Sequence, residues 1–313
     1  MKQLTLSNLI GRCIVSCMLV LLTQFALSLV PRFLSASSLL IQLPLSALLL
    51  LVVIGLGGRI RRVLGVHASA PAFVFFSILF VWCVYVLVIR KAAVSHVMDV
   101  VFNGEVAILI IGLCSILKSD PGLEMYGSSE DRCIEDSTSG VNSQNQELEL
   151  SDSFLGKRVR YCRSCKAYIR GLDHHCPAFG NCIGQKNYIL FVILLVGFII
   201  TEGSYVACST QFASKFGIFN GTMSETSLFA NLAVSTTTFS ILQLVWQVPF
   251  LTWHAYCICF NIRTDEWINW KKYPEFQFVD QSQPGQSCRE VRFTNPYDRG
   301  ILQNVKEFLA LTG

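Results

Sequence analysis

Six stretches of this chain run long with almost no charge, and they constrain its fold more than any other feature. They are residues 13–30, 39–57, 71–89, about 97–117, 188 to about 207, and 232 to about 257. An α-helix needs about 20 predominantly apolar residues to cross a bilayer, and these stretches meet that length. Composition agrees, since 52% of the 313 residues are hydrophobic and only 15% are charged, too greasy a mixture for two soluble domains of that size. The sequence therefore predicts an all-α polytopic membrane protein with about six transmembrane helices. A net charge of +4 is too mild to indicate nucleic-acid binding. The first stretch, flanked by Lys2 and Arg12, also has the form of a signal peptide, with Ala26-Leu27-Ser28 as a tolerable cleavage site. The fourth carries Asp99, Asn103 and Glu105; intramembrane acids are costly, so these should sit near an interface or face other helices, with Glu105 a snorkelling or helix-paired acid. Such charges are too few, and form no paired pathway, for a channel or transporter.

Between the spans the composition shifts. Residues 1–117 hold four spans, 118–160 a linker, 161–187 a cysteine-rich segment, 188–258 two further spans, and 259–313 a mixed soluble region. Ser119-Asp120-Pro121-Gly122 should stop the fourth helix, because Pro and Gly end it and Asp120 can accept hydrogen bonds there. Residues 123–152 are rich in Ser, Glu and Asp, which predicts a solvated, mobile linker. Of the thirteen cysteines, Cys13, Cys17, Cys83 and Cys114 stand singly in apolar stretches, where a thiol acts as a small hydrophobe. The clustered ones need a reducing compartment to hold metal, which puts the segment 161–187 in the cytosol. Counting spans from there places the sequon Asn220-Gly221-Thr222 on the lumenal or extracellular side, open to glycosylation. It places Arg59, Arg61 and Arg62 in the cytosol, as the positive-inside tendency favours, whereas Arg32 and Arg90-Lys91 fall on the opposite side. The expected location is an endomembrane or the plasma membrane, with the reactive segment facing the cytosol.

That segment holds four cysteines and two histidines between Cys162 and Tyr188. Thiolates and imidazole at this spacing indicate zinc, but zinc takes four ligands and six are on offer. Cys162-x-x-Cys165 supplies one pair, and one His and one Cys complete a Cys₃His set. Spacing alone does not choose between His174 and His175. The surplus Cys and His, beside Asp173, form a potential nucleophile, base and orienting acid.

Asp173-His174-His175-Cys176 resembles the signature of the DHHC protein S-acyltransferases, or palmitoyltransferases. The likeness continues in Cys176-Pro177, Asn181-Cys182-Ile183-Gly184 and Asn187-Tyr188, and beyond the core in Asp120-Pro121-Gly122, Thr264-Asp265-Glu266, Asn295-Pro296-Tyr297-Asp298 and Asn304. The resemblance implies a structural zinc on Cys162, Cys165, His175 and Cys182, and leaves Asp173, His174 and Cys176 for chemistry. It implies transfer of a fatty acyl group, palmitoyl above all, from acyl-CoA to cysteines of membrane-associated proteins through acyl-Cys176, with the acyl chain in a slot between spans. It also implies that Tyr297 packs against the membrane domain and that Asn304 hydrogen-bonds near the core. Three departures stand out. Family members typically hold two zincs, yet here Tyr161 and Tyr168 occupy two of the positions expected to ligate the other ion and no upstream Cys-x-x-Cys is present, so one zinc is expected. Ala178 stands where the family usually has Trp, with Phe179 beside it as a partial filler. Arg263 replaces the first Thr of a Thr-Thr-x-Glu motif. A non-catalytic, zinc-bearing membrane adaptor, or pseudoenzyme, is the alternative these departures motivate. Lys157, Arg158, Arg160, Arg163, Lys166 and Arg170 surround the core and suit either the phosphates of CoA or anionic lipid.

Overall fold

The protein is described by a computed structural model over residues 6–34, 39–63, 65, 67–92, 95–124, 158–216, 228–279 and 291–310. The linker residues 125–152, Lys157 and the sequon at Asn220 lie outside the described residues. In chain order the elements are helices α1 (Leu6–Phe33), α2 (Leu39–Val63), α3 (Ala70–Val84) and α4 (His96–Lys118), and strands β1 (Leu123–Glu124), β2 (Val159–Cys162), β3 (Ala167–Arg170), β4 (His174–Cys176) and β5 (Asn181–Ile183). There follow α5 (Tyr188–Lys215), α6 (Leu228–Cys259), a short α7 (Thr264–Asn269), strands β6 (Gln277–Val279) and β7 (Val291–Phe293), and α8 (Ile301–Ala310). Among the described residues six helices, α1 to α6, are long and apolar enough to cross a membrane.

Five of the six helices outrun their apolar stretches, because polar residues end a span without ending a helix; α3 is the exception, and its span is completed by the wider turn that follows it. Arg61 and Arg62 form part of the last turn of α2, where Arg61 Nε donates to Gly57 O at 3.1 Å and positive charge suits the helix C-terminus. Ser69 caps α3 by accepting from Ala72 N at 3.4 Å, and Pro71 fits the first turn, where no intrahelical donor is missed. α3 then widens over Tyr85–Ile89 into a turn whose closing bond runs from Arg90 N–H to Tyr85 O.

The chain forms two compact units. The first comprises Met1–Ser115, Pro177–Phe179 and Ile193–Leu251. Its core gathers Leu27, Tyr85, Phe102, Val106, Tyr205 and Phe239, with the Tyr85 and Phe102 rings 4.2 Å apart. Its polar groups turn toward one another: Asp99 takes Tyr85 Oη at 3.1 Å and Arg90 Nη2 at 3.0 Å, Asn103 takes Trp82 Nε1 at 2.9 Å, and Glu105 takes Ser204 Oγ at 3.1 Å. Glu105 is thus the helix-paired acid expected of it. Leu40, Leu51, Ile108, Ile111 and Val245 are exposed instead, an apolar exterior that suits lipid and not water.

The second unit comprises Ile116–Cys176, Gly180–Val192 and Thr252–Gly313. It holds a three-stranded antiparallel sheet in the order β1-β3-β2 and two hairpins, β4-β5 and β6-β7. Gly184 sits where a Cβ would lie 2.3 Å from Pro121 O and 2.7 Å from Ile169 Cγ2, so this close approach admits only glycine. Asp120 does what the turn sequence suggests, accepting from Gly122 N at 2.8 Å and Leu123 N at 2.9 Å. Asn181 ties the hairpin to the end of α4 by donating to Ile116 O and Ser119 O, each at 2.9 Å.

The end of α6 is closed with unusual thoroughness. Asn261 adopts φ +46°, and the bonds Ile262 N to Cys257 O and Asn261 N to Ile258 O make a Schellman closure. Two carbonyls left over by the helix are then taken by side chains from the C-terminal motif: Asn295 Nδ2 donates to Phe260 O at 2.6 Å and Asn304 Nδ2 to Cys259 O at 2.8 Å. Tyr297 packs on Phe276 at this same end, in the cluster of Cys257, Ile262 and Phe276.

Candidate functional site

β2 and β3 pair so that Cys162 faces Ala167, and residues 163–166 form the tight turn between them. Lys166 holds φ +54° there, and Cys165 N–H points at Cys162 Sγ at 3.4 Å, the arrangement of a metal-binding knuckle. The β4-β5 hairpin brings the other two ligand candidates across from each other, with His175 paired to Cys182. Cys182 Sγ lies 3.3 Å from Cys165 Sγ and 3.5 Å from His175 Nδ1, and Cys165 Sγ lies 3.4 Å from His175 Nδ1. All four ligand atoms of Cys162, Cys165, His175 and Cys182 fall within 4.8 Å of one another. Three sulfurs and one imidazole nitrogen at this mutual spacing fit the tetrahedron of a zinc ion, whose bonds are about 2.0–2.3 Å. Burial first and neighbouring sulfurs second push the Cys182 thiol above its ordinary value, a cost that a dication reverses by binding the thiolates. Burial holds the His175 imidazole below its ordinary value, so the ring is neutral and able to ligate.

Successive residues of a strand point to opposite faces. His175 therefore faces the sulfurs while His174 and Cys176, two residues apart on β4, share the other face. His174 Nδ1 lies 2.8 Å from Asp173 Oδ2, and the His174 ring also hydrogen-bonds the Cys176 thiol. Burial alone would depress the His174 pKa, but those two bonds outweigh it and raise it to about 9. Asp173 is fully buried and pays for burial too, yet its bond to His174 and a backbone donor keep its carboxyl below the usual range. The donor is Thr264 N–H, 2.9 Å from Asp173 Oδ1, and Asp265 N–H reaches Asp173 O at 2.9 Å. The first turn of α7 thus fixes the acid that fixes the histidine.

One participant escapes sequence reasoning. His254, in the sixth apolar stretch, is fully buried with Nδ1 3.9 Å from Asp173 Oδ2 and 3.0 Å from Tyr188 Oη. Phe191 packs on it, ring centroids 4.8 Å apart, and on His174 at 5.4 Å. A single histidine inside an apolar span was the available signal.

The basic residues of the segment divide. Arg158 is spent on Glu266, with Nε to Oε1 at 2.9 Å and Nη2 to Oε2 at 2.5 Å, and on Asn261. Arg160 is buried against Glu275 and Glu266, and Arg170 pairs with Glu124 at 2.5 Å. These three do not form the open cationic patch expected for phosphates or lipid. Tyr161 and Tyr168 face each other across β2 and β3, rings 5.1 Å apart.

Residues 144–271 match the family model of the DHHC palmitoyltransferases. Among curated proteins the chain is 28% identical to the probable protein S-acyltransferase 3 of Arabidopsis thaliana over 180 residues, 54% of this chain and 37% of that one. It is 30% identical to palmitoyltransferase ZDHHC3 of Rattus norvegicus over 104 residues, 33% of this chain and 35% of that one. It is 26% identical to palmitoyltransferase Hip14 of Drosophila melanogaster over 243 residues, 73% of this chain and 35% of that one. The chain thus spans little more than a third of the length of these relatives. With six apolar helices, four before the matched residues and two within them, it is an integral membrane protein. The match, the Cys/His cluster and the His174-His175-Cys176 strand together place a DHHC palmitoyltransferase domain at residues 144–271 of this chain.

Proposed function

We propose that the protein is an S-acyltransferase, carrying a fatty acyl group, palmitoyl above all, from acyl-CoA to cysteines of membrane-associated proteins. The observation that carries this reading is the contact of Asp173 with His174, which shares one face of β4 with Cys176. In the first step His174 holds the proton of Cys176, and Asp173 holds the His174 ring in place. The Cys176 thiolate attacks the thioester carbonyl; a carbon–sulfur bond to Cys176 forms, the bond to CoA breaks, and the CoA thiolate leaves with the proton. In the second step a thiolate of the acceptor protein attacks acyl-Cys176 and takes the acyl group, returning the cysteine. Each step exchanges one thioester for another, so the free-energy change is small. Cys162, Cys165, His175 and Cys182 are the proposed zinc ligands, one ion per chain. The ion would supply fixed geometry to the segment 161–187 and not a reacting group, since four protein ligands fill a tetrahedral site. The reacting face is proposed to open to the cytosol, where acyl-CoA and reduced thiols are found.

The test is incubation with labelled fatty acyl-CoA. The expected result is a label on Cys176 that hydroxylamine removes, lost in Cys176→Ser with zinc still bound. The same assay on sealed vesicles of known sidedness reads the orientation, because acyl-CoA does not cross the membrane. No label in folded, zinc-bound protein offered several chain lengths would favour the non-catalytic adaptor.

A further inference from the structure

The second unit contains a cavity of about 550 Å³ that neither the metal cluster nor the reacting strand uses. It lies within the size range of small-molecule sites, about 300–1,000 Å³. The end of α6, the turn before α7 and one side of α8 wall it, and its lining includes Arg158, Arg263, Arg299, Ile258 and Phe308. Two of the three guanidinium groups have counter-charges. Arg158 is matched by Glu266, and Arg299 Nη1 lies 2.9 Å from Glu307 Oε1. Arg263 differs. It is only 8% exposed, its Nε meets no hydrogen-bond partner, and among the described residues no carboxylate lies within ion-pairing distance of its side chain. The Glu266 carboxylate accepts its backbone N–H and leaves its guanidinium alone. What Arg263 has is Tyr188, whose ring face lies 4.6 Å from its central carbon and whose hydroxyl it also meets, neutral contacts that offset only part of the cost of burying a cation. This arginine also stands where the sequence departs from the Thr-Thr-x-Glu pattern, so the charge is a property of this chain.

We propose that the cavity binds a phosphate ester on an organic body, with Arg263 as its counter-ion. A buried guanidinium presents paired donors to an oxyanion, and the two partly neutralised arginines favour a multiply charged group over a carboxylate. Ile258 and Phe308 supply apolar wall for the body. Two sources share this chemistry: the nucleotide end of coenzyme A, and the headgroup of a phospholipid. The first choice of probe rests on the acyltransferase reading; the second does not.

The experiment measures calorimetric binding of 3′,5′-ADP and, separately, of a short-chain phosphatidylglycerol below its micelle concentration, to the full-length zinc-loaded protein in detergent. The expected result is saturable binding of one of them, weakened roughly tenfold or more by Arg263→Gln and less by Arg263→Lys. Zinc content and the thermal transition report folding of each variant. If Arg263→Gln fails to fold, Ala310→Trp fills the cavity from its rim and should abolish the same binding. Binding of the nucleotide assigns the cavity to the acyl donor, and binding of the lipid assigns it to the membrane. Binding of neither, or binding that both substitutions leave unchanged in folded protein, overturns the proposal. The readout is binding and not acyl transfer. Nucleotide bound through Arg263 without loading of Cys176 would therefore count against the reaction alone, and loading without phosphate binding would count against the cavity alone.

Discussion

Glu266 holds more of the site's scaffold than any other single residue. At 1% exposure it receives the Arg158 fork and the Arg263 backbone N–H, and Arg160 lies 3.9 Å away. Its removal would strand the Arg158 guanidinium, 15% exposed, and leave the buried Arg160 with Glu275 alone. Glu266→Ala is therefore expected to cost about 3–5 kcal/mol, the penalty of leaving a buried charge unpaired. Glu266→Gln should cost less, because its amide oxygen can still accept the Arg263 N–H. Thermal unfolding of the zinc-bound protein in detergent measures both; an unchanged transition in the alanine variant would refute this account. His254 belongs to the same scale. Its place beside Asp173 and Tyr188 was invisible in the sequence because it lies 81 positions from Asp173, and only the returning helix closes that gap.

At the scale of elements, β4 does the sorting. A helix would have spread Asp173, His174, His175 and Cys176 around its circumference at about 100° steps, whereas a strand alternates them between two faces. The alternation sends His175 to Cys182 and returns His174 to Cys176. α7 then acts on this strand through backbone alone. Thr264 is the first residue of that helix, a position where proline is tolerated, and Arg263 before it is already extended at φ −97° and ψ 151°. Thr264→Pro should keep the helix and delete the N–H that Asp173 accepts, costing about 1–3 kcal/mol for a buried acceptor left short of a donor. Thr264→Val keeps that N–H and loses the bond from Trp253 Nε1 to the hydroxyl and the hydroxyl's contact with Cys257. Acyl loading of Cys176 should slow in the first variant and hold in the second; equal rates would mean that α7 does not position Asp173.

At the scale of the whole molecule, metal and fold are coupled. The cluster of Cys162, Ile169, Leu172 and Cys182 is small, and two of its four members are proposed ligands. Metal analysis is expected to find about one zinc per chain, as one Cys₃His set implies. Cys182→Ala should lose zinc and the order of this region together, because binding free energy at such a site is folding free energy. Two zinc ions per chain would refute the one-site reading. The sequence alone determined the six apolar helices, since length and lack of charge suffice for a span whatever its neighbours. It also determined which residue types the site would draw on, since soft ligands at close spacing have few other uses. Tertiary structure decided the rest. The ends of the helices, the commitment of Arg158 and Arg160 to buried acids, the capping of α6 by Asn295 and Asn304, and the arrival of His254 all depend on partners distant in sequence. Arg158 lies 108 positions from Glu266, and no local pattern records which of the chain's acids a given arginine will meet.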